Sequence, residues 1–271
     1  MTINEALSYT RKTLSSVDSR TLVAFITKHN ENELINYYDE ILDEIQEKEL
    51  ESKIKELKSN KPIQYVTNNV NFYGLDLYVN ENVLIPRFET EELVENAISL
   101  LNNTFVSPKI LDLCCGSGAI GLAIKDKVKD SKVTLSDIST KALEVANINK
   151  ERLNLDVEII ESDLFDNIDS KFDCIISNPP YICDNEQIEE IVRKNEPSIA
   201  LYGGKEGLDY YERILKDISK YLNDKFIIAF EIGANQKEKV IEIINKYLKN
   251  VEIIAKKDLS QKDRMIFIKS I

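Results

Sequence analysis

The pattern of apolar positions changes near residue 62 of the chain. Before that point, neither glycine nor proline interrupts the first sixty residues, which favours helices. Apolar side chains recur there at helical spacing, namely at Leu34, Ile35, Tyr38, Ile41, Leu42, Ile45, Leu50, Ile54 and Leu57. The pattern predicts a small bundle of helices over residues 1–62, with these side chains packed in its core.

Residues 63–88 show a different periodicity. Leu75, Leu77 and Val79 alternate with polar or amphipathic neighbours, next to a turn-prone Tyr73-Gly74. Alternation with a period of two is typical of a strand beside a turn. We therefore expect a β-hairpin linker over this segment.

From residue 89 to 271, short apolar runs alternate with helical stretches. The runs cover residues 109–113, 132–136, 157–160, 174–177, 226–231, 251–254 and 265–268. Strands that alternate with helices indicate a mainly parallel sheet with helices on both faces. The sequence therefore predicts an α/β domain of seven strands in this region.

The net charge of the chain indicates which class of macromolecule it binds. The chain has 47 acidic and 35 basic residues, and its formal net charge is −12. Proteins that bind nucleic acid gain affinity when Lys and Arg neutralise phosphates, so this balance disfavours direct nucleic-acid binding and favours a basic protein partner. No run of eighteen apolar residues and no signal-peptide pattern is present, so we expect a cytoplasmic protein without membrane attachment.

The sequence offers few ligands for a metal. Its four cysteines form no Cys-x-x-Cys pair, and His29 is the single histidine. We expect no metal site, and we interpret His29 as structural. The adjacent Cys114 and Cys115 are expected to be small, partly buried thiols.

A glycine-rich segment follows the first predicted strand of the α/β domain. Gly116, Gly118 and Gly121 satisfy the Gly-x-Gly-x-x-Gly pattern, and Asp137 ends the next predicted strand. Small residues let the backbone approach a ligand, and a carboxylate at that position accepts hydrogen bonds from ribose hydroxyls. The motif indicates an adenosine-type cofactor but leaves NAD and S-adenosylmethionine open.

A second motif follows a later strand. Asn178, Pro179, Pro180 and Tyr181 come directly after the apolar run that ends at Ser177. Proline lacks an N–H, so nearby carbonyls remain free to accept hydrogen bonds. We expect a planar NH₂ group to donate to the side chain of Asn178 and to the carbonyl of Pro179, with Tyr181 covering it. This arrangement would aim the nitrogen at a methyl sulfonium.

Together these motifs resemble methyltransferases that act on planar amino or amide nitrogens. Further segments look like the release factor glutamine methyltransferases, namely residues 62–66, 71–74, 83–94, 196–208 and 231–233. The related enzymes that methylate a ribosomal protein differ after Pro86-Arg87, so Glu89-Thr90-Glu91 favours a release factor as substrate. The chain departs from the family at Cys114-Cys115, where Gly-Thr is usual.

The resemblance implies a seven-stranded Rossmann-like methyltransferase domain over residues 89–271 and a substrate-recognising helical domain over residues 1–62. It also implies a monomer that methylates the glutamine of the Gly-Gly-Gln motif in peptide chain release factors. S-adenosylmethionine would be lined by Cys114, Cys115, Gly116, Ser117, Gly118, Asp137, Asp163, Leu164 and Asn178. Catalysis and substrate binding would fall to Asn178, Pro179, Pro180 and Tyr181.

Four alternatives remain at this point. The chain could be an adenine-N6 nucleic-acid methyltransferase, although that activity calls for a basic groove. It could methylate a glutamine of a ribosomal protein. A nicotinamide oxidoreductase would satisfy the glycine pattern but leaves Asn178–Tyr181 unexplained, and a non-catalytic binding module would not need Asn178 or Asp137.

Overall fold

The computed structural model describes residues 1–271, which form ten α-helices and nine β-strands. The helices are α1 (Ile3–Thr10), α2 (Ser16–Thr27), α3 (Glu44–Lys58), α4 (Ile63–Thr67), α5 (Phe88–Thr104), α6 (Ala119–Lys127), α7 (Thr140–Leu153), α8 (Glu190–Asn195), α9 (Asp209–Asp217) and α10 (Lys237–Tyr247). The strands are β1 (Val70–Phe72), β2 (Leu75–Leu77), β3 (Lys109–Leu113), β4 (Lys132–Asp137), β5 (Glu158–Glu161), β6 (Phe172–Ser177), β7 (Leu222–Glu231), β8 (Val251–Lys257) and β9 (Asp263–Ser270). None of the helices has the length and apolar character needed to cross a membrane.

The chain separates into two compact units, and the smaller one is helical. It contains residues 1–69 together with α8. Helices α1 and α3 begin with capping boxes at Thr2 and Asp43. Each of these side chains accepts a hydrogen bond from a backbone N–H of the first turn, which has no partner within the helix. His29 stacks on Tyr37 and hydrogen-bonds Glu40 at 2.9 Å, which gives the histidine a structural role within this unit.

The apolar stripe predicted between residues 34 and 45 is wrong in part. Leu34 and Leu42 are buried, but Ile35, Ile41 and Ile45 are 65%, 72% and 75% exposed. Helix α2 ends at Thr27, and α3 begins at Glu44. The side chain of Asp43 caps α3 by accepting hydrogen bonds from two backbone N–H groups of its first turn. Local capping therefore breaks the helical period that the apolar spacing suggested. The segment between these helices contains a 3₁₀ turn, Leu34–Tyr37, and an isolated β-bridge between Ile41 and Thr2.

The larger unit contains residues 70–189 and 196–271. Strands β1 and β2 pair in antiparallel register, so a hairpin is present within the predicted linker. It covers only residues 70–77, and Ile63–Thr67 at the start of the predicted linker is helix α4. The main sheet has the order β5-β4-β3-β6-β7-β9-β8, in which all neighbours are parallel except for β9 against β7 and β8. All seven predicted strands are present, and the order is that of the methyltransferase sheet expected from the resemblance.

Two apolar layers cover the faces of this sheet. One layer contains Ile110 of β3 with buried side chains of α5, α6 and α7. The other contains Leu111 and Leu113 of β3 with buried side chains of α9 and α10. Successive side chains of a strand point to opposite faces, so the sheet is covered by helices on both sides, as predicted.

Candidate active site

The order of the strands reverses at β3, since β4 and β5 lie on one side of it and β6 and β7 on the other, and a cleft opens there. Leu113 of β3 is in register with Ser177 of β6, and the Ser177 hydroxyl donates to the Leu113 carbonyl at 2.6 Å. The residues that follow, Cys114 and Asn178, therefore leave the sheet side by side. Ligands of open α/β sheets bind at such a switch point, and the cleft here together with the solvent at its mouth amounts to about 920 Å³.

The glycine-rich loop forms one wall of the cleft. Gly118 has a φ of 80° and caps the N-terminus of α6, and a Cβ at this position would lie 3.0 Å from the Leu135 side chain. A Cβ at Gly121 would lie 2.3 Å from the same leucine, so this glycine lets α6 pack closely on β4. Cys114 has a φ of 62°, a region that non-glycine residues rarely adopt.

Asp137 holds the loop from the end of β4. Its carboxylate accepts from the backbone N–H of Gly116 at 2.8 Å and of Ser139 at 2.9 Å. Burial raises the pKa of Asp137, and the N–H groups of Ser139 and Gly116 oppose that shift. Each carboxylate oxygen keeps a further lone pair, which leaves Asp137 able to accept from a ligand in the cleft.

Asp163 and Leu164 lie at the neighbouring wall. Asp163 accepts from the guanidinium of Arg213 at 2.8 Å, and the two residues form an ion pair. Leu164 is buried and has a φ of 52°. Both line the cleft together with Ile138 and Tyr210, which the sequence reasoning did not identify.

The Asn178–Tyr181 loop forms the opposite wall. Asn178 and Pro180 line the cleft, whereas Pro179 and Tyr181 do not. The Tyr181 hydroxyl instead donates to Glu231 at 3.2 Å, and burial raises the pKa of Tyr181 well above its ordinary value. Of the other predicted cofactor residues, Gly118 also lies off the cleft surface, where it shapes the loop.

A neighbouring loop fixes the backbone of this motif. Gly203 donates its N–H to the Ile182 carbonyl at 2.9 Å, and a Cβ at Gly203 would lie 2.4 Å from the Pro180 carbonyl oxygen. Gln236 donates its side-chain amide to the Tyr181 carbonyl at 2.9 Å. The close approach requires glycine at position 203, which explains one small residue of the 196–208 segment.

Four buried or half-buried side chains beside the cleft make contacts that the sequence did not predict. Arg87 donates to Glu196 at 2.5 Å, and Glu196 also accepts from the Ile85 N–H at 3.1 Å. Thr90 donates to the buried carboxylate of Glu231 at 2.6 Å. These residues stand in segments that carried the family resemblance, but nothing in their spacing indicated which of them meet.

The cleft fits an adenosine-type cofactor by its own geometry. The glycine loop presents small residues and the N-terminus of α6, and Asp137 stands at the adjoining strand end with acceptor capacity left. Asn178 lines the same cleft, which places an amide acceptor within one cavity with the glycine loop. The residues present therefore suit a cofactor at one end and a planar polar group at the other.

Comparisons with known proteins identify a family for this chain. Residues 90–199 match the family model "Methyltransferase small domain", and residues 5–67 match "PrmC N-terminal domain". A release factor glutamine methyltransferase of Clostridium acetobutylicum is 39% identical over 259 residues, which are 92% of this chain and 89% of that protein.

Solved structures share the fold at low sequence identity. A methyltransferase of Pyrococcus furiosus has a TM-score of 0.55 and 21% identity, covering 82% of this chain and 98% of that one. A T. thermophilus 16S rRNA methyltransferase solved with AdoMet and guanosine has a TM-score of 0.55 and 13% identity, covering 75% of this chain and 50% of that one. With the sheet order, the cleft and the relative of 39% identity taken together, the chain belongs to the release factor glutamine methyltransferase family.

Proposed function

We propose that this chain transfers a methyl group from S-adenosylmethionine to the side-chain amide nitrogen of the glutamine in the Gly-Gly-Gln motif of a peptide chain release factor. The observation that carries the proposal is the register of Leu113 with Ser177, because it brings the glycine loop and Asn178 into one cleft. Membership of the family supports the substrate class.

The glycine loop and two carboxylates would hold the cofactor. Asp137 would accept from the ribose hydroxyls, and residues 114–118 with Asp163 and Leu164 would surround the rest. When bound, S-adenosylmethionine supplies an electrophilic methyl group. The AdoMet found in the T. thermophilus structure of the same fold supports this choice over a nicotinamide cofactor.

Asn178 would hold the acceptor. Its side-chain oxygen would accept one hydrogen bond from the glutamine NH₂ group, which orients the nitrogen. The Pro179 carbonyl, at a residue off the cleft surface, would have to turn toward the cleft to accept the second. Tyr181 is anchored to Glu231 and to Gln236, so it would stiffen the loop on the far side of Pro180.

Orientation would supply most of the rate enhancement. An amide nitrogen is a weak nucleophile, because its lone pair is delocalised into the carbonyl. Holding two reactants in line contributes about 7–11 kcal/mol to lowering a barrier. Acceptors that suit a partly positive nitrogen bind the transition state better than the ground state. The proton would leave to water after the transfer.

The smaller, helical unit would recognise the release factor. It exposes large apolar side chains, among them Val17, Ile35, Ile41 and Ile45. A net charge of −12 would attract a basic partner and repel RNA. The protein would act as a monomer.

A test of the proposal compares acceptors. The protein is incubated with S-adenosylmethionine labelled in the methyl group and, separately, with a purified release factor, ribosomal proteins or RNA and DNA. We expect label in the release factor alone. Label in adenine would move the assignment to the nucleic-acid enzymes, and label in a ribosomal protein would move it to the related glutamine methyltransferases.

A further inference from the structure

A buried carboxylate lies behind the Asn178 loop. Glu231, at the end of β7, is 1% exposed and faces the larger unit's interior. One of its carboxylate oxygens accepts from the Thr90 hydroxyl at 2.6 Å, and the other accepts from the Tyr181 hydroxyl at 3.2 Å. A buried charge needs such partners, so this group is held in one orientation.

Thr90 stands between this carboxylate and the cleft. It lies in the first turn of α5, is 4% exposed, and lines the cavity together with Asn178. The Asn178 side-chain NH₂ group donates to the Thr90 oxygen at 3.5 Å. That contact is long, as hydrogen bonds at catalytic sites often are before the substrate binds.

The single proton of the Thr90 hydroxyl fixes the direction of its two hydrogen bonds. A hydroxyl has one proton to donate, and the Thr90 proton goes to the carboxylate of Glu231. The oxygen of Thr90 is then left with acceptor capacity only, so its other partner must be a donor. The NH₂ end of the Asn178 amide satisfies that requirement, and the carbonyl end would not.

We propose that Thr90, anchored by Glu231, is a positioning residue that turns the Asn178 amide so that its carbonyl oxygen faces the cleft. The inference rests on the proposed function, in which that oxygen accepts from the glutamine amide. If the Asn178 amide were reversed, its NH₂ group would face the substrate NH₂ group, and two donors would meet. Thr90 would then contribute to turnover through Asn178 without touching the cofactor.

Charged and hydroxyl groups around Glu231 oppose the effect of its burial. Burial raises the pKa of this carboxyl, and the Thr90 hydroxyl, the guanidinium of Arg264 and the Tyr181 hydroxyl each act to lower it. Arg264 is itself held by Asp258 at 3.2 Å. The arrangement Glu231–Thr90–Asn178 is therefore supported from β7, α5 and β9.

The test compares Thr90→Val, which removes the hydroxyl at similar size, with Thr90→Ser, which keeps it. Single-turnover methyl transfer and the KM for S-adenosylmethionine are measured on variants that circular dichroism shows to be folded. We expect Thr90→Val to slow transfer by about tenfold to one hundredfold, which is less than the loss of a polar contact made directly to the transition state, because Thr90 acts through Asn178. The cofactor KM should stay within about twofold, and Thr90→Ser should keep most of the rate. Thr90→Ala replaces the valine variant if that one does not fold.

A double-mutant cycle separates positioning from general support. In an Asn178→Ala background, Thr90→Val should cost less than about threefold, because its target is gone. An equal cost in both backgrounds would overturn the inference. Absence of transfer by the wild-type protein would instead be a failure of the proposed function.

If the wild-type protein transfers no methyl group, the orientation of the Asn178 amide can still be tested by a measurement that does not depend on activity. The proton–nitrogen resonances of the Asn178 side-chain amide should shift in Thr90→Val and stay in place in Thr90→Ser. Unmoved resonances in the valine variant would overturn the inference.

Discussion

Asn149 and Tyr78 form a pair of hydrogen bonds that ties helix α7 to the chain after the hairpin. The Tyr78 N–H donates to the Asn149 side-chain oxygen at 2.6 Å, and the Asn149 NH₂ group donates to the Tyr78 carbonyl at 3.0 Å. The same NH₂ group also donates to the carbonyl of Ser117 in the glycine loop at 3.0 Å. One buried side chain therefore satisfies three backbone groups beside the cofactor end of the cleft.

Replacing Asn149 by alanine should destabilise the protein and loosen the glycine loop. Three backbone groups would lose their partner, and we expect a loss of about 2–4 kcal/mol in the free energy of unfolding. Affinity for S-adenosylmethionine, measured by titration calorimetry, should fall as well. Asn147→Ala, on an exposed position of the same helix, is the control and should change stability by less than about 0.5 kcal/mol. Equal effects of both variants would contradict the role of Asn149.

Cys114→Gly should stabilise the protein. A side chain in the left-handed region costs roughly 1–2 kcal/mol, and glycine gives back about half of that gain through its freer unfolded chain. Because the φ of Cys114 is 62°, we expect a net increase of about 0.5–1 kcal/mol in a denaturant titration. Cys183→Gly, at a position without a positive φ, should give no gain. A destabilised Cys114→Gly variant would show that the thiol contributes packing that outweighs the strain.

Asp112 should make stability depend on pH. Its carboxylate is fully buried, with one oxygen accepting from the Gly121 N–H at 2.8 Å and the other without a partner. Burial raises its pKa from 3.8 to about 7. The folded state therefore holds this proton more tightly than the unfolded state. The stabilisation is complete below about pH 4 and is lost as the pH rises to about 7.

Comparison with Asp112→Asn isolates this group from the other titrating residues. The difference in free energy of unfolding, wild type minus variant, should decrease between about pH 4 and about pH 7. A difference that stays constant over this interval would mean that Asp112 titrates in the same way folded and unfolded.

Asp137→Ala should weaken cofactor binding. Two charge-assisted hydrogen bonds to the ribose contribute about 1.5 kcal/mol each, so we expect the Kd for S-adenosylmethionine to rise about one hundredfold. Glu161→Ala removes an exposed carboxylate from the strand position paired with Asp137, and it should change the Kd less than about threefold. If both variants bound the cofactor equally well, Asp137 would not contact the ribose.

The positions of the strands in the α/β unit could be predicted from the sequence, because each strand contains a short apolar run and helical stretches separate most of these runs. All seven predicted strands are present, and the pairing of β3 with β6 then follows from the known order of such sheets. The helical unit was harder, because capping by Asp43 and the end of α2 at Thr27 interrupt an apolar spacing that reads as one stripe.

Contacts between segments distant in sequence could not be predicted. Thr90 and Glu231 are separated by 141 positions, and each belongs to a segment of the family resemblance without any sign that their side chains meet. The role of Asn149 was hidden for the same reason, since an asparagine in a helix is usually solvent-facing. Local sequence patterns therefore predicted the two motifs of the cleft. The contacts of the side chains that hold these motifs in place depend on the tertiary fold and could not be predicted.

Asn178 is proposed to present a release factor glutamine to the methyl donor. The most direct test is mass spectrometry of peptides from a purified release factor incubated with this protein and S-adenosylmethionine. We predict one added methyl group on the glutamine of the Gly-Gly-Gln motif, and a single-turnover rate at least about one hundredfold lower in Asn178→Ala, which should still bind the cofactor. A methyl group on another residue, or a near-normal rate in Asn178→Ala, would contradict the account.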